Sequence, residues 1–161
     1  MGPSGCGKST VGRLAAARSK ASFVEADDHH TDEARERMHA GLPLTDDDRI
    51  PWIARVANAA NAANAARGGR VVIACSALSE RVRDALSSRL CFPVRFVLLD
   101  VPTSELARRL TSRLGHFAGA NLLDSQLETL ALSGTTRIDG MQPPEAIAAT
   151  VARMLTDGDG D

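Results

Sequence analysis

The chain has 161 residues, with 19 Lys and Arg against 20 Asp and Glu and a net charge of −1. That length builds one domain with a real core, and that balance excludes a bulk nucleic-acid or membrane footprint. No apolar run approaches the ~20 residues of a membrane span, and Cys6, Cys75 and Cys91 are too few and too scattered for a disulfide framework or a zinc site, so a reducing cytoplasm is the expected compartment.

The first feature along the chain is a loop. Gly2-Pro3-Ser4-Gly5-Cys6-Gly7-Lys8-Ser9 fits the phosphate-binding pattern G-x-x-x-x-G-K-[ST] at every fixed position, and Thr10 follows it. Glycines let successive backbone N–H groups curl around phosphate oxygens. Lys8 would bridge the β- and γ-phosphates of ATP, and Ser9 would offer its hydroxyl to Mg²⁺. The helix that starts there points its positive end at the anion. Such a loop normally follows a buried strand. Only Met1 precedes it here, so the first strand of the sheet is expected to be missing and the chain to be marginally folded without it. No secretory signal is expected ahead of the loop.

Val11, Leu14, Ala15 and Ala17 continue the first helix, and Ser22 to Glu25 reads as a short strand. Asp32 to His39 is a charged helix stopped by Gly41 and Pro43. Thr45 with Asp48 forms a capping box for a longer helix through Trp52, Ile53, Val56, Ala60 and Ala63, ending at Gly68-Gly69. Asn58, Asn61 and Asn64 on it read as one solvated face. Arg70 to Ala74 is a strand, Ser79 to Leu86 a helix, and Val94 to Leu99 a second strongly patterned strand. A helix starts at Pro102-Thr103-Ser104, another spans Asn121 to Leu130, Thr135 to Ile138 is a weak strand, and Pro143 to Met154 is the last helix. This alternation predicts an α/β fold, a parallel sheet with helices on both faces, in a single domain over residues 1–156 with a disordered acidic tail at 157–161.

In such sheets ligands sit beyond the carboxyl ends of the strands. That rule selects Asp27, Asp28, His29 and His30 after one strand, and Cys75, Ser76 and Ala77 after the next. Asp27 can reach both a Mg²⁺ ion and an attacking hydroxyl, so Ser9 and Asp27 are the candidate metal ligands. Asp28 reads as a helix N-cap. Asp46-Asp47-Asp48-Arg49 suits either a solvated helix start or a polyhydroxylated anion, with Arg49 forking a carboxylate. Arg108, Arg109 and Arg113 lie on one short helix. They are either surface charges or arginines of a flap over the γ-phosphate, hinged at Gly115-His116-Phe117-Ala118-Gly119.

Several blocks together resemble the gluconate kinase family. They are Asp27-Asp28-His29-His30, Met38, Gly41-Leu42-Pro43-Leu44, Asp46-Asp47-Asp48-Arg49-Ile50-Pro51-Trp52, Cys75-Ser76-Ala77-Leu78 with Arg83-Asp84, and Gly115-His116-Phe117 with Leu122-Leu123-Asp124-Ser125-Gln126 and Glu128. They run in family order from Gly2 to about residue 130. The resemblance implies a P-loop kinase fold like that of nucleoside monophosphate kinases, and ATP-dependent phosphorylation of D-gluconate to 6-phosphogluconate. It implies Lys8, Asp27 and Arg113 as catalytic groups, with Asp27 as base or hydroxyl-orienting group. Gly2, Ser4, Gly5, Cys6, Gly7, Lys8, Ser9, Thr10 and Arg109 would hold ATP. His30, Asp47, Arg49 and Arg83 would line the sugar-acid site, and a lid would span about residues 108–126. ATP and Mg²⁺ are the implied cofactors and a homodimer the implied assembly, with no nucleic-acid or membrane partner. Two alternatives stay open. One is a shikimate- or nucleotide-type kinase of the same fold. The other is a truncated, non-catalytic nucleotide-binding remnant, favoured by the short N-terminus and by Ser79 where the family usually carries Lys.

Overall fold

The structure is a computed structural model. It describes residues 1–67, 69–114 and 118–156, with their side chains other than those of 67, 113, 114 and 118–121. The elements in chain order are α1 (Lys8–Ser19), β1 (Ser22–Glu25), a 3-10 turn (Ala26–His29), α2 (Asp32–His39), α3 (Asp46–Arg67) and β2 (Val71–Ala74). Then come α4 (Glu80–Ser87), β3 (Phe96–Asp100), α5 (Thr103–Leu114), α6 (Ala118–Thr129), β4 (Thr135–Asp139) and α7 (Pro144–Thr156). The predicted 157–161 tail lies outside the described residues.

Local chemistry sets most of these boundaries. The Thr45 hydroxyl accepts from the Asp48 N–H at 3.2 Å while the Asp48 carboxylate accepts from the Thr45 N–H at 2.9 Å, closing the expected capping box at α3. Thr31, rather than Asp28, caps α2 by accepting from the Ala34 N–H at 3.2 Å. Ser79 caps α4 in the same way from Val82. Asn61 leaves its expected solvated role: its amide donates to the Arg89 carbonyl and accepts from the Cys91 N–H, tying α3 to the turn after α4. Helix α6 begins at Ala118, not at Asn121, so Gly119 lies within it; Gly115, His116 and Phe117 are outside the described residues.

All strand pairs described are parallel, as the alternation of strand and helix requires. They form two pairs. β1 runs beside β2 with Ser22 opposite Val71 and Glu25 opposite Ala74. β3 runs beside β4 with Phe96 opposite Thr135 and Asp100 opposite Asp139, which starts the strand at Phe96 instead of Val94 and carries it to Asp100. Side chains that alternate across the strands feed two cores. Val24, Trp52, Ile53, Val56 and Leu86 pack in one, built on α3 and α4. Val11, Ala15, Leu99, Leu106 and Ile147 pack in the other, built on α1, α5 and α7. No helix among the described residues is long and apolar enough to cross a membrane.

Between β2 and β3 runs a slot of about 500 Å³, closed on one face by Leu86 and Phe92 and on the other by Val151 and Met154. Met1 stands at its end. The Met1 nitrogen donates to the Val97 carbonyl at 2.5 Å, and the Leu99 N–H donates to the Met1 carbonyl at 3.0 Å. Those two bonds are the repeat of a parallel ladder centred opposite Leu98. The phosphate loop is therefore already anchored to β3 as though it left a strand. An apolar segment of about five β-branched residues joined ahead of Met1 is expected to fill the slot. That should add at least about 2 kcal/mol, or about 4–8 °C in melting temperature at this chain size. Thermal denaturation followed by circular dichroism checks it, and equal midpoints with and without the segment would show that the slot closes in solution.

Candidate active site

The phosphate loop ends at α1 with Gly7 in the left-handed region (φ 99°), and no side chain caps the helix. A Cβ at Gly7 would meet nothing within 4 Å, so the space before these amides is open, while the positive φ disfavours any other residue. Gly2 is required for a different reason. A Cβ there would lie 2.6 Å from the Cys6 sulfur and 3.3 Å from the Leu99 carbonyl. Cys6 is turned into the core at 2% exposure, which leaves its main chain as the part available to a ligand. The Lys8 ammonium donates to the Pro3 carbonyl at 3.0 Å. Ser9 is half-buried and Thr10 is exposed.

Two helices hold the outer limb of this loop. Gln126 of α6 accepts from the Ser4 N–H at 2.7 Å and donates to the Ser4 hydroxyl at 3.2 Å. Arg109 of α5 donates to the Gly5 carbonyl at 3.4 Å, to Glu105 at 2.7 Å, and reaches the Met141 sulfur at 3.7 Å. Arg108 and Arg109 together pull the Glu105 carboxyl down to about 2. Beside Met141, at the carboxyl ends of β3 and β4, is a cavity of about 470 Å³ lined by Asp100, Pro102, Arg137, Ile138 and Asp139. Its size suits a small-molecule group. Arg113 is on α5, but its side chain lies outside the described residues.

The other end of the site is built on β1, β2 and α3. The chain that leaves β1 is pinned by side chains. Trp52 donates to the Ala26 carbonyl at 2.7 Å, Arg55 to the His29 carbonyl at 2.8 Å and Arg35 to the Asp28 carbonyl at 2.9 Å. This sets Asp27 at the rim, exposed, and His30 beneath it. The His30 ring stacks on Trp52 with centroids 4.3 Å apart and planes 11° from parallel. Burial lowers the His30 pKa against the pull of Asp27, so the ring is neutral at pH 7, and its buried Nδ1 has no partner among the described residues. Cys75 lies at the floor, and burial pushes its thiol up to about 12.

Arg49 is the group that stands out electrostatically. It is 7% exposed, and its Nε donates to the Leu44 carbonyl at 3.2 Å. Among the described residues no carboxylate lies within the 4.0 Å of an ion pair with it. Its field reaches His30 and Cys75, and that of Asp46 reaches it. A guanidinium this buried and unpaired is costly to the fold unless an anion binds it.

The charges of Lys8, Asp27 and Arg49 all act on Cys75, and those of Asp27 and Arg49 on His30, so these groups lie near one another. Two predicted members are placed elsewhere. Asp47 is 80% exposed at its side chain and paired with Arg81. Arg83 is buried, and its guanidinium donates to the carbonyls of Ala77, Leu78, Ala131 and Ser133 over the face of Phe96. Gln126 and Met141 were not selected by the sequence rule: Gln126 lies within a helix, Met141 follows the strand that the sequence marks most weakly, and neither carries charge.

A phosphate loop that leaves a ladder bonded to β3 and runs into the N-terminus of α1, in a fold of parallel strands, is the arrangement of a P-loop protein. A family model described as "AAA domain" matches residues 1–133. The chain is similar to the gluconokinase of Gluconobacter oxydans (strain 621H), 40% identical over 157 residues, covering 95% of this chain and 87% of that one. Its structure is similar to a gluconokinase from Sinorhizobium meliloti 1021, with a TM-score of 0.80, 38% identity, and 99% and 93% of the two chains covered. It is also similar to a sugar kinase from Janibacter sp. HTCC2649, with a TM-score of 0.83, 38% identity, and 98% and 91% covered. The chain belongs to the gluconokinase family of P-loop kinases.

Arg83→Met tests the structural role that its four carbonyl partners describe. Leaving buried acceptors without a donor should cost about 2–4 kcal/mol. The expected result is a clearly lower melting temperature with a gluconate KM changed less than about threefold, measured below that midpoint. A large KM change at an unaltered midpoint would return Arg83 to the substrate.

Proposed function

We propose that the chain transfers the γ-phosphoryl group of ATP to the terminal hydroxyl of D-gluconate. The observation that carries the acceptor is Arg49. A buried guanidinium without an ion pair among the described residues fits a carboxylate, and the planar fork can bind both oxygens. The neutral His30, with a buried nitrogen lacking a partner, fits a hydroxyl of the same molecule. Gluconate supplies a carboxylate at one end and a hydroxyl at the other.

The nucleotide end follows from the loop. The uncapped amides of α1 and the Lys8 ammonium suit the β- and γ-phosphates. The cavity beside Met141 suits the base, with Arg109 between it and the loop. Ser9 and Asp27 are hard oxygen donors of the kind Mg²⁺ prefers and would hold it. When bound there, the ion neutralises charge on the phosphates. Asp27 at the rim accepts the proton of the attacking hydroxyl, or orients that hydroxyl, as the bond from oxygen to phosphorus forms. The bond from phosphorus to ADP breaks, and Lys8 stabilises the charge on the transferring group.

The assay is direct. Purified protein with Mg·ATP is expected to turn over D-gluconate faster than shikimate or any nucleoside monophosphate, read by ADP release and by the mass of the product. Faster turnover of either rival would overturn the acceptor assignment, and no turnover of any would favour a nucleotide-binding remnant.

Arg49→Met separates function from stability. It removes a buried charge without a partner, so the melting temperature should hold or rise. Gluconate binding should weaken at least about a hundredfold, because a charge-assisted fork of about 3 kcal/mol is lost. ATP affinity should be unchanged. Calorimetric titration of both ligands checks this.

A further inference from the structure

The phosphate loop depends on a contact outside its own motif. Gln126 presents both ends of its amide to one residue of the loop, its oxygen to the Ser4 N–H at 2.7 Å and its nitrogen to the Ser4 hydroxyl at 3.2 Å. The two residues are 122 apart in sequence, so this is a tertiary clasp. Gln126 is itself held in place, because the neighbouring Leu123 is 3% exposed and both Leu123 and Leu127 pack into the core on α1 and α7. The residue before Ser4 is Pro3, and its carbonyl is where Lys8 rests, at 3.0 Å. The residue after Ser4 is Gly5, packed on Leu110 and Leu106 and bonded to Arg109. The limb that locates the Lys8 ammonium is therefore held at Ser4 by Gln126 and at Gly5 by α5.

We propose that Gln126 is a positioning residue for phosphoryl transfer, acting through Ser4 and the Pro3 carbonyl to set where the Lys8 ammonium stands over the outer phosphates. The physical reason is geometric. A charge aimed at a transferring group loses most of its effect when displaced by about an ångström. From Pro3 to Gly5 the one side chain able to hydrogen-bond is that of Ser4, the one Gln126 meets, so that limb has little else of its own with which to resist displacement. A neutral amide suits the task, because it satisfies a donor and an acceptor on Ser4 without adding charge beside the phosphates. The effect on rate rests on the kinase reading above, while the effect on nucleotide affinity does not depend on the acceptor.

The test uses Gln126→Met, which keeps the length and loses both hydrogen bonds. Affinity for Mg·ATP is expected to fall about tenfold and affinity for AMP to stay within twofold, since AMP lacks the phosphates that Lys8 meets. With D-gluconate as acceptor, kcat should fall about tenfold and the gluconate KM should stay within twofold. In a Lys8→Ala background the same substitution should change ATP affinity less than twofold, because the group it positions is gone. Ser4→Ala keeps the main-chain bond and should lose less than threefold in ATP affinity, with no added loss on top of Gln126→Met. The proposal is overturned by equal losses for ATP and AMP, by an undiminished loss in the Lys8→Ala background, or by no loss of ATP affinity. Should Gln126→Met unfold, Ser4→Ala with and without Lys8→Ala decides between the same outcomes. A wild-type protein that binds ATP but leaves gluconate untouched refutes the acceptor assignment and leaves the affinity measurements to decide on Gln126.

Discussion

A phosphate loop has to present a row of bare amides, and a row of bare amides has almost nothing with which to hold itself. Everything that fixes it must come from outside. In this chain the start of the loop is tied to β3 through the two main-chain bonds of Met1. The outer limb is tied to α6 and α5 through Gln126 and Arg109. The end becomes α1, whose Val11 and Ala15 are sealed in the core. Each tie comes from a different part of the sequence, so the loop is placed only when the whole domain is assembled. The same constraint explains Gly2, where the loop runs so close to Cys6 and Leu99 that a side chain has no room.

The substrate end works by the opposite means, through a small number of buried groups whose charges are settled in advance. Burial keeps Cys75 protonated and His30 neutral. That leaves Arg49 as a buried charge with no carboxylate paired to it among the described residues. Two of the acidic residues near it in sequence are engaged elsewhere, while the field of Asp46 reaches it. Asp48 caps α3 and pairs with Arg37, and Asp47 faces Arg81 at the surface. An entering carboxylate therefore meets one cation that the fold has not already neutralised, which favours an acid over a neutral sugar.

The elements were legible where local chemistry decides them. The capping box at Thr45, the strand at Ser22 to Glu25 and the helix at Asp32 to His39 all stand where periodicity and caps put them. The loop motif singles out Lys8, the strand-end rule Asp27 and His30, and the acidic block before it Arg49. What could not be read is what depends on tertiary partners. The sequence shows that Arg83 is an arginine on a helix, but not that four carbonyls converge on it. It shows three acidic residues in a row, but not that one caps a helix and another turns to solvent. It shows a glutamine on an ordinary helix, but not that Ser4 lies beneath its amide. Arg109 stands out in the sequence as one of three arginines on a short helix, whereas its contact with Met141 does not, because Met141 lies 32 residues away and is chemically bland.

The division of the sheet into two parallel pairs gives these observations one frame. β1 and β2 carry the acid end, through the turn at Asp27 and the floor at Cys75. β3 and β4 carry the cavity at Asp100 and Asp139, where we propose that the nucleotide base binds. Backbone hydrogen bonds join the members of each pair, but between the pairs lies the slot. The loop and α1 therefore bridge the two binding ends, with Met1 bonded to β3 and α1 packed against both β2 and α7. Phosphoryl transfer needs the acceptor hydroxyl and the γ-phosphate held within about 3–3.5 Å of each other. On the reading proposed above, that distance depends on how rigidly the loop is gripped from both sides, so a group that stiffens the slot or the clasp would act on the reaction without touching either substrate.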